Sequence, residues 1–142
     1  MKNQVKYMVI GFSLLMVNSF FSGIVEGLFF PDDLYMHRAQ INQRLEDRLW
    51  RLIIPLIIAP IFEEWLFRGI ILSKLNRKLS FGLSNVICAL LFSFAHLDFF
   101  LLPYFLNGVV YGWVKIKAKN LYTVMLLHNL YNGIVILVLI YL

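Results

Sequence analysis

Five apolar runs, separated by short polar or basic stretches, fill most of this chain. They extend over about Tyr7 to Phe30, Arg51 to Leu72, Phe81 to Leu97, Phe99 to Val114 and Leu121 to Leu142. Each approaches the roughly 20 residues an α-helix needs to cross a bilayer. A backbone placed in hydrocarbon must satisfy its own hydrogen bonds, which favours helices. With 61% hydrophobic and 15% charged residues, the chain is far from the roughly 25% charged composition of soluble domains. One soluble core of this size could not hide so much apolar surface. The expected fold is therefore all-α: a polytopic transmembrane bundle of about five spans, forming one integral membrane domain over residues 1–142.

The stretch from Pro31 to Trp50 is the exception, with Asp32, Asp33, His37, Arg38, Arg44, Glu46, Asp47 and Arg48. Met36, Ile41, Leu45, Leu49 and Leu52 recur at helical spacing within and just beyond it, which predicts a short amphipathic helix on the membrane surface. Lys2 and Lys6 precede the first run, but that run is long for a signal peptide and has no clear small-residue cleavage site, so it reads as a retained helix.

The net charge of +5 is carried by small clusters. Lys2 and Lys6, then Lys74, Arg77 and Lys78, then Lys115, Lys117 and Lys119 fall in alternate connections. The positive-inside rule places these in the cytoplasm, with the N-terminus inside and the C-terminus outside. Such small clusters offer no broad basic face, so nucleic acid is not an expected partner. The single Cys88 lies in an apolar run, which excludes an intrachain disulfide and suggests packing.

Ile61-Phe62-Glu63-Glu64-Trp65-Leu66-Phe67-Arg68-Gly69 breaks the apolar rule. A charge at the centre of a span costs at least ~2.5–3.5 kcal/mol on insertion scales, so such residues pair, face a wet cavity or do chemistry. Glu64 and Arg68 are four apart and share a helical face, as an ion pair would. Glu63 lies about 100° further round. Two adjacent carboxylates in low dielectric suit general acid–base work. Pro55 and Pro60 precede them and predict a distortion that opens room for polar groups.

His96 and His128 also fall within apolar runs, with Phe92 four residues before the first and Asn132 four after the second. An intramembrane histidine is commonly a hydrogen-bonded packing residue; two beside paired glutamates point further. At ~1.5 Å rise per residue, Glu63 lies about 12–14 Å from the inner surface, His128 about 10 Å and Asn132 about 16 Å. His96 lies about 22 Å deep if its span starts at Phe81, and about 16 Å if the span starts after Ser84. Only the second choice, or helix tilt, brings all four together.

Taken in order, Glu63-Glu64-Trp65-Leu66-Phe67-Arg68, Phe92-Ser93-Phe94-Ala95-His96 and His128-Asn129-Leu130-Tyr131-Asn132 resemble the EExxxR, FxxxH and HxxxN motifs of the CPBP (Abi) family of intramembrane proteases. That family includes the CaaX prenyl endopeptidases and bacterial relatives linked to bacteriocin self-immunity. The glycine-bearing segment through Gly108 and Gly112 also matches, and the resemblance spans about residues 55–133, the expected catalytic core. It implies an intramembrane endopeptidase of a bacterial cell membrane acting on a membrane peptide or protein. Glu63 would activate water with help from His96. His128 and Asn132 would stabilise the oxyanion or hold a metal, and Glu64 with Arg68 would order the site. The resemblance leaves two arrangements open: a divalent ion such as zinc, with Glu63, His96 and His128 as candidate ligands, or metal-free glutamate chemistry.

Two readings from other classes compete. A non-catalytic membrane protein that sequesters a peptide or receptor would need Glu64 and Arg68 for folding but not Glu63. A haem bundle would use His96 and His128 as axial ligands. Gly82, Gly108 and Gly112 would allow close helix contact, and Gly108 with Gly112 forms G-x-x-x-G, a spacing used both within bundles and between subunits.

Overall fold

The computed structural model describes residues 2–30 and 53–141, with side chains through 138. The expected surface helix between Pro31 and Trp50 lies outside the described residues. Among these, the fold is all-α, as the apolar runs predict, with five helices and no strand. Helix α1 is Lys2–Phe29. Helix α2 is one continuous rod over residues 53–75, with segments Ile54–Ile58, Ala59–Glu64, Trp65–Ile71 and Leu72–Leu75. Helix α3 is Phe81–Ala95, α4 is Leu102–Ala118 and α5 is Leu121–Tyr141. By length and composition, α1 and α5 can each cross a membrane, whereas α3 is apolar but shorter.

Helix α4 begins later than the apolar run suggested. Leu97 adopts a left-handed conformation with φ 52°. Asp98 Oδ1 then accepts the Phe100 amide at 3.1 Å, and Pro103 takes a first-turn position where its missing N–H costs nothing. The run from Phe99 therefore enters through a turn. At its other end α4 continues to Ala118, so Lys115 belongs to the helix. Half-buried there, Lys115 donates to Ser73 Oγ at 3.0 Å.

Helix α2 is where proline chemistry shows. The first segment, Ile54–Ile58, and the third, Trp65–Ile71, have the wide turn of a π-helix, in which each carbonyl bonds the amide five residues on. Ala59 N–H bonds the Ile54 carbonyl. The next carbonyl in that pattern, Pro55, would need the N–H of residue 60, and Pro60 has none. Asn132 of α5 fills the place, its Nδ2 donating to the Pro55 carbonyl at 3.3 Å. In the second wide segment, Leu72 N–H bonds Phe67 O, and Ser73 Oγ donates to the Arg68 carbonyl at 3.2 Å. The expected proline distortion is thus a change of helical pitch.

The core is built on α4, which packs against both α3 and α1. Leu15, Phe67, Cys88, Phe92, Tyr111, Val114, Val124 and Leu127 fill it. Cys88 is buried and donates from Sγ to the Phe67 carbonyl at 3.2 Å, a packing role. On α1 the buried Asn18 donates to Asn107 Oδ1 at 2.8 Å and to the Pro103 carbonyl at 3.1 Å, while Ser22 donates to Asn18 Oδ1. A polar seam thus ties α1 to α4 inside an otherwise apolar contact.

The G-x-x-x-G face is used within the chain. A Cβ on Gly108 would lie 3.0 Å from both Cα and Cβ of Ala89 on α3, and one on Gly112 would fall on the Asn85 carboxamide. Asn85 in turn donates to the Val109 carbonyl at 3.0 Å. Among the described residues nothing lies within 4 Å of a Cβ built on Gly82, so the expected close contact with another described helix is not found there: it sits in the first turn of α3. Gly112→Val should destabilise the protein by about 1–3 kcal/mol, the usual cost of overpacking. Gly82→Ala should leave the unfolding midpoint in detergent unchanged or slightly higher. Equal losses at the two positions would show that the α3–α4 contact does not depend on this close approach.

Contacts gather the basic stretches at one end of the bundle. The rings of Tyr7 and Trp113 meet edge to face at 5.5 Å, which brings the start of α1 to the end of α4. The Lys115–Ser73 bond brings the end of α2 there as well.

Candidate active site

Arg68 is the centre of the buried polar cluster. It is wholly buried, as is Glu64. Nη1 donates to Glu64 Oε1 at 3.2 Å, and Nη2 donates to the Gly108 carbonyl of α4 at 3.0 Å. Its guanidinium carbon lies 4.2 Å from the Phe92 ring centroid and 5.2 Å from that of Tyr111, so aromatic faces close the remaining sides. The spacing of Glu64 and Arg68 predicted their pairing; the structure adds the α4 carbonyl and the aromatic box.

His128 of α5 enters from the other side. Its Nδ1 lies 2.9 Å from Glu64 Oε1, so one carboxylate oxygen serves both the guanidinium and the imidazole. An ionised carboxylate only accepts, so Nδ1 carries a proton in this contact. The ring is stacked on Tyr111 at 4.5 Å with 24° between planes, and only 6% of its side chain is exposed. That fixes where Nε2 points: toward Glu63 Oε2, 3.9 Å away. The gap is too long for a direct hydrogen bond. Glu63 is 28% exposed while Glu64 is fully enclosed. The adjacent carboxylates therefore differ in role as their helical phases suggest: Glu64 is locked into the cluster, and Glu63 stands at its edge.

His96 is placed differently from the other three. Helix α3 starts at Phe81, the choice that puts His96 deepest, and His96 ends the helix as its C-cap. Its Nδ1 meets the Phe92 carbonyl at 2.8 Å, and its ring contacts Phe92 at 4.5 Å. The Phe92 ring lies 6.1 Å from that of His128, so one phenylalanine neighbours both histidines. Among the described residues, no hydrogen bond or ion pair joins His96 to Glu63, Glu64 or His128. Asn132, one turn beyond His128, reaches the Pro55 carbonyl rather than the glutamates.

The metal ligand set fares accordingly. Among the described residues no three of His, Cys, Asp and Glu come together to hold an ion. Glu63 and His128 approach one another, but no hydrogen bond or ion pair among the described residues brings His96, the third candidate, to either of them. As placed, the residues do not fit a three-ligand site, and no step is derived through a metal here.

Tyr111 and the Gly108 carbonyl escaped the sequence reading. Tyr104, Gly108 and Tyr111 are spaced at i, i+4 and i+7 and share one face of α4. That periodicity was available, but an aromatic stripe in an apolar helix reads as core, and a backbone carbonyl leaves no sequence signal.

The profile of the Type II CAAX prenyl endopeptidase Rce1-like family matches residues 45–134, more than half of the chain. The chain belongs to this CAAX protease family. All three motifs lie within the matched residues. Among its CAAX protease relatives, the membrane-embedded CAAX protease MroQ of Staphylococcus aureus is 34% identical over 88 residues, covering 57% of this chain and 36% of that protein. The UPF0177 protein YxdF of Lactococcus lactis is 36% identical over 83 residues, covering 54% of this chain and 45% of that protein. YdiL of Bacillus subtilis is 29% identical over 87 residues, covering 61% of this chain. The chain thus spans less than half the length of these curated relatives. No solved structure matches it. Family membership and the apolar helices together make it a membrane protein.

Proposed function

We propose that the chain is an intramembrane endopeptidase that hydrolyses a peptide bond of a membrane-associated substrate. The observation that carries this reading is the placement of His128 between two unequal glutamates, Nδ1 at 2.9 Å from buried Glu64 and Nε2 at 3.9 Å from the accessible Glu63. One guanidinium stands against two carboxylates in this cluster, so in the proposed step one further proton, carried on His128 Nε2, balances the charge and leaves Glu63 as the carboxylate base. Glu63, the accessible partner, takes a proton from water, whose oxygen attacks the scissile carbonyl. With Nδ1 anchored on Glu64, Nε2 is the atom left to donate a hydrogen bond to the oxyanion. The C–N bond then breaks and the proton on Glu63 passes to the leaving amine. His96 assists Glu63 in drawing the proton from the water, and Asn132 holds α2 in register with α5.

The basic end of the bundle supports an orientation with the N-terminus in the cytoplasm and the C-terminus outside. Bacteriocin self-immunity is the biological role we favour, with the substrate a membrane peptide. A zinc-dependent route remains the alternative chemistry, and a change of His96 position would be its structural requirement. A non-catalytic sequestering protein is the second reading. It draws on the cluster's evident structural role, since Glu64, Arg68 and His128 would hold the helices together without any reaction.

Purified protein in lipid, offered candidate membrane peptides, tests these. Wild type is compared with Glu63→Gln and His128→Ala, each with and without a chelator. Cleavage by wild type that both substitutions abolish, with the fold retained, supports the peptidase. Loss with chelator, restored by zinc, would replace the metal-free route. If wild type protects cells without cutting and Glu63→Gln protects equally, sequestration is the function.

A further inference from the structure

We propose that Tyr104 and Asp98 are positioning residues for His96, holding its ring in the tautomer that leaves Nε2 free as a base. This rests on the peptidase reading for its catalytic consequence but has a readout independent of it. The α3 terminus sets up the arrangement. At the helix end the His96 amide turns back to the Ser93 carbonyl at 3.2 Å. The Phe92 carbonyl is taken by the His96 side chain instead, at 2.8 Å. A carbonyl only accepts, so Nδ1 carries the proton and Nε2 the lone pair.

What keeps the ring there comes from the turn and from α4. Leu97, at φ 52°, reverses the chain so that Asp98 returns toward α4. Tyr104 Oη donates to Asp98 Oδ2 at 2.8 Å, and Asp98 Oδ1 accepts the Phe100 amide at 3.1 Å. With its hydroxyl pinned, the Tyr104 ring lies against the imidazole at 4.1 Å and 30°. Phe92 also contacts the imidazole, at 4.5 Å and 65°. The imidazole is thus held by two aromatic rings on different helices, with one nitrogen spoken for. Among the described residues Glu26 of α1 and Tyr131 of α5 also act on Tyr104, alongside Asp98 and the stacked His96. A solvated histidine favours the opposite tautomer, with the proton on Nε2, so the clamp makes a distinctive signature.

The test is nitrogen NMR of histidine-labelled protein in detergent, at a pH where imidazole is neutral, with the His96 signals assigned by their loss in His96→Gln. In wild type His96 should be protonated on Nδ1. Tyr104→Leu should shift it toward Nε2 protonation. Tyr104→Phe, which keeps the stack but not the Asp98 bond, should give an intermediate population. Asp98→Asn, still able to accept from Tyr104, should resemble wild type, and Asp98→Ala should resemble Tyr104→Phe. In the cleavage assay kcat should fall on the order of 10- to 100-fold in Tyr104→Leu, as misplacement of a catalytic group does, with KM unchanged. Nε2 protonation in wild type would overturn the proposal, as would a Tyr104→Leu protein with unaltered His96 signals. If Tyr104→Leu does not fold, Tyr104→Phe and Asp98→Ala carry the same test. A wild type that cuts nothing yet shows the Nδ1 tautomer would sink the peptidase reading and leave the clamp standing.

Discussion

Glu63→Gln should abolish cleavage while leaving the protein as stable as before. The substitution keeps the size and hydrogen-bonding outline of the side chain and removes only its capacity to take a proton. General-base catalysis contributes typically ~10²–10⁴-fold, so kcat should drop by about that factor. Stability should change by no more than about 1 kcal/mol, because the side chain is partly exposed and makes no direct hydrogen bond to His128. Glu63 is 28% exposed, and His128 Nε2 lies 3.9 Å from its Oε2. Single-turnover cleavage in lipid and thermal unfolding of the same preparation provide the two readings. Retained activity would remove Glu63 from the chemistry, and a collapse of stability would make it a folding residue like its neighbour.

The reverse pattern is expected at Arg68. Arg68→Ala should destabilise the protein by roughly 3–5 kcal/mol, the cost of leaving a buried charge without its partner. Glu64 would keep His128 but lose the guanidinium at 3.2 Å, and the Gly108 carbonyl would lose its 3.0 Å donor. Against a total stability of about 5–15 kcal/mol, that loss is enough to reduce the folded yield sharply. Lysine should rescue little, because a single ammonium cannot reproduce the fork that reaches both Glu64 and Gly108. Replacing both partners by apolar residues, as in Glu64→Leu with Arg68→Met, should recover much of the stability without recovering cleavage. Detergent unfolding of the four proteins checks this. A mild effect of Arg68→Ala alone would mean that water reaches the cluster and screens it.

The glutamate motif was legible because helical geometry converts spacing directly into neighbours. Glu64 and Arg68 meet as their four-residue separation requires, and Glu63 takes a different environment because it points elsewhere. The helices were legible as apolar runs, except where polar capping shifted an end, as at Asp98 and Pro103. Tertiary context supplied the rest. The pitch changes in α2 depend on Pro60 lacking an N–H and on Asn132 arriving from another helix, which no local window contains. The depth arithmetic left His96 ambiguous because it cannot see how one phenylalanine bridges two histidines. Gly108 is the clearest lesson: its spacing to Gly112 announced close packing, but the carbonyl that packing brings to Arg68 belongs to the backbone.

An α-helix is a ruler with fixed graduations: once one residue is set, every later side chain has its compass bearing. The wide turn over Trp65–Ile71 lets this ruler be cut and re-zeroed. Upstream of it, Glu63 and Glu64 keep the bearing that meets α5; downstream, Ser73 keeps the bearing that meets Lys115 of α4. An unbroken α-helix would carry both bearings on one scale, and setting either would fix the other by about 100° per residue. The wider turn thus offsets the bearing of Ser73 from that of the glutamates, so that one rod meets α5 upstream and α4 downstream.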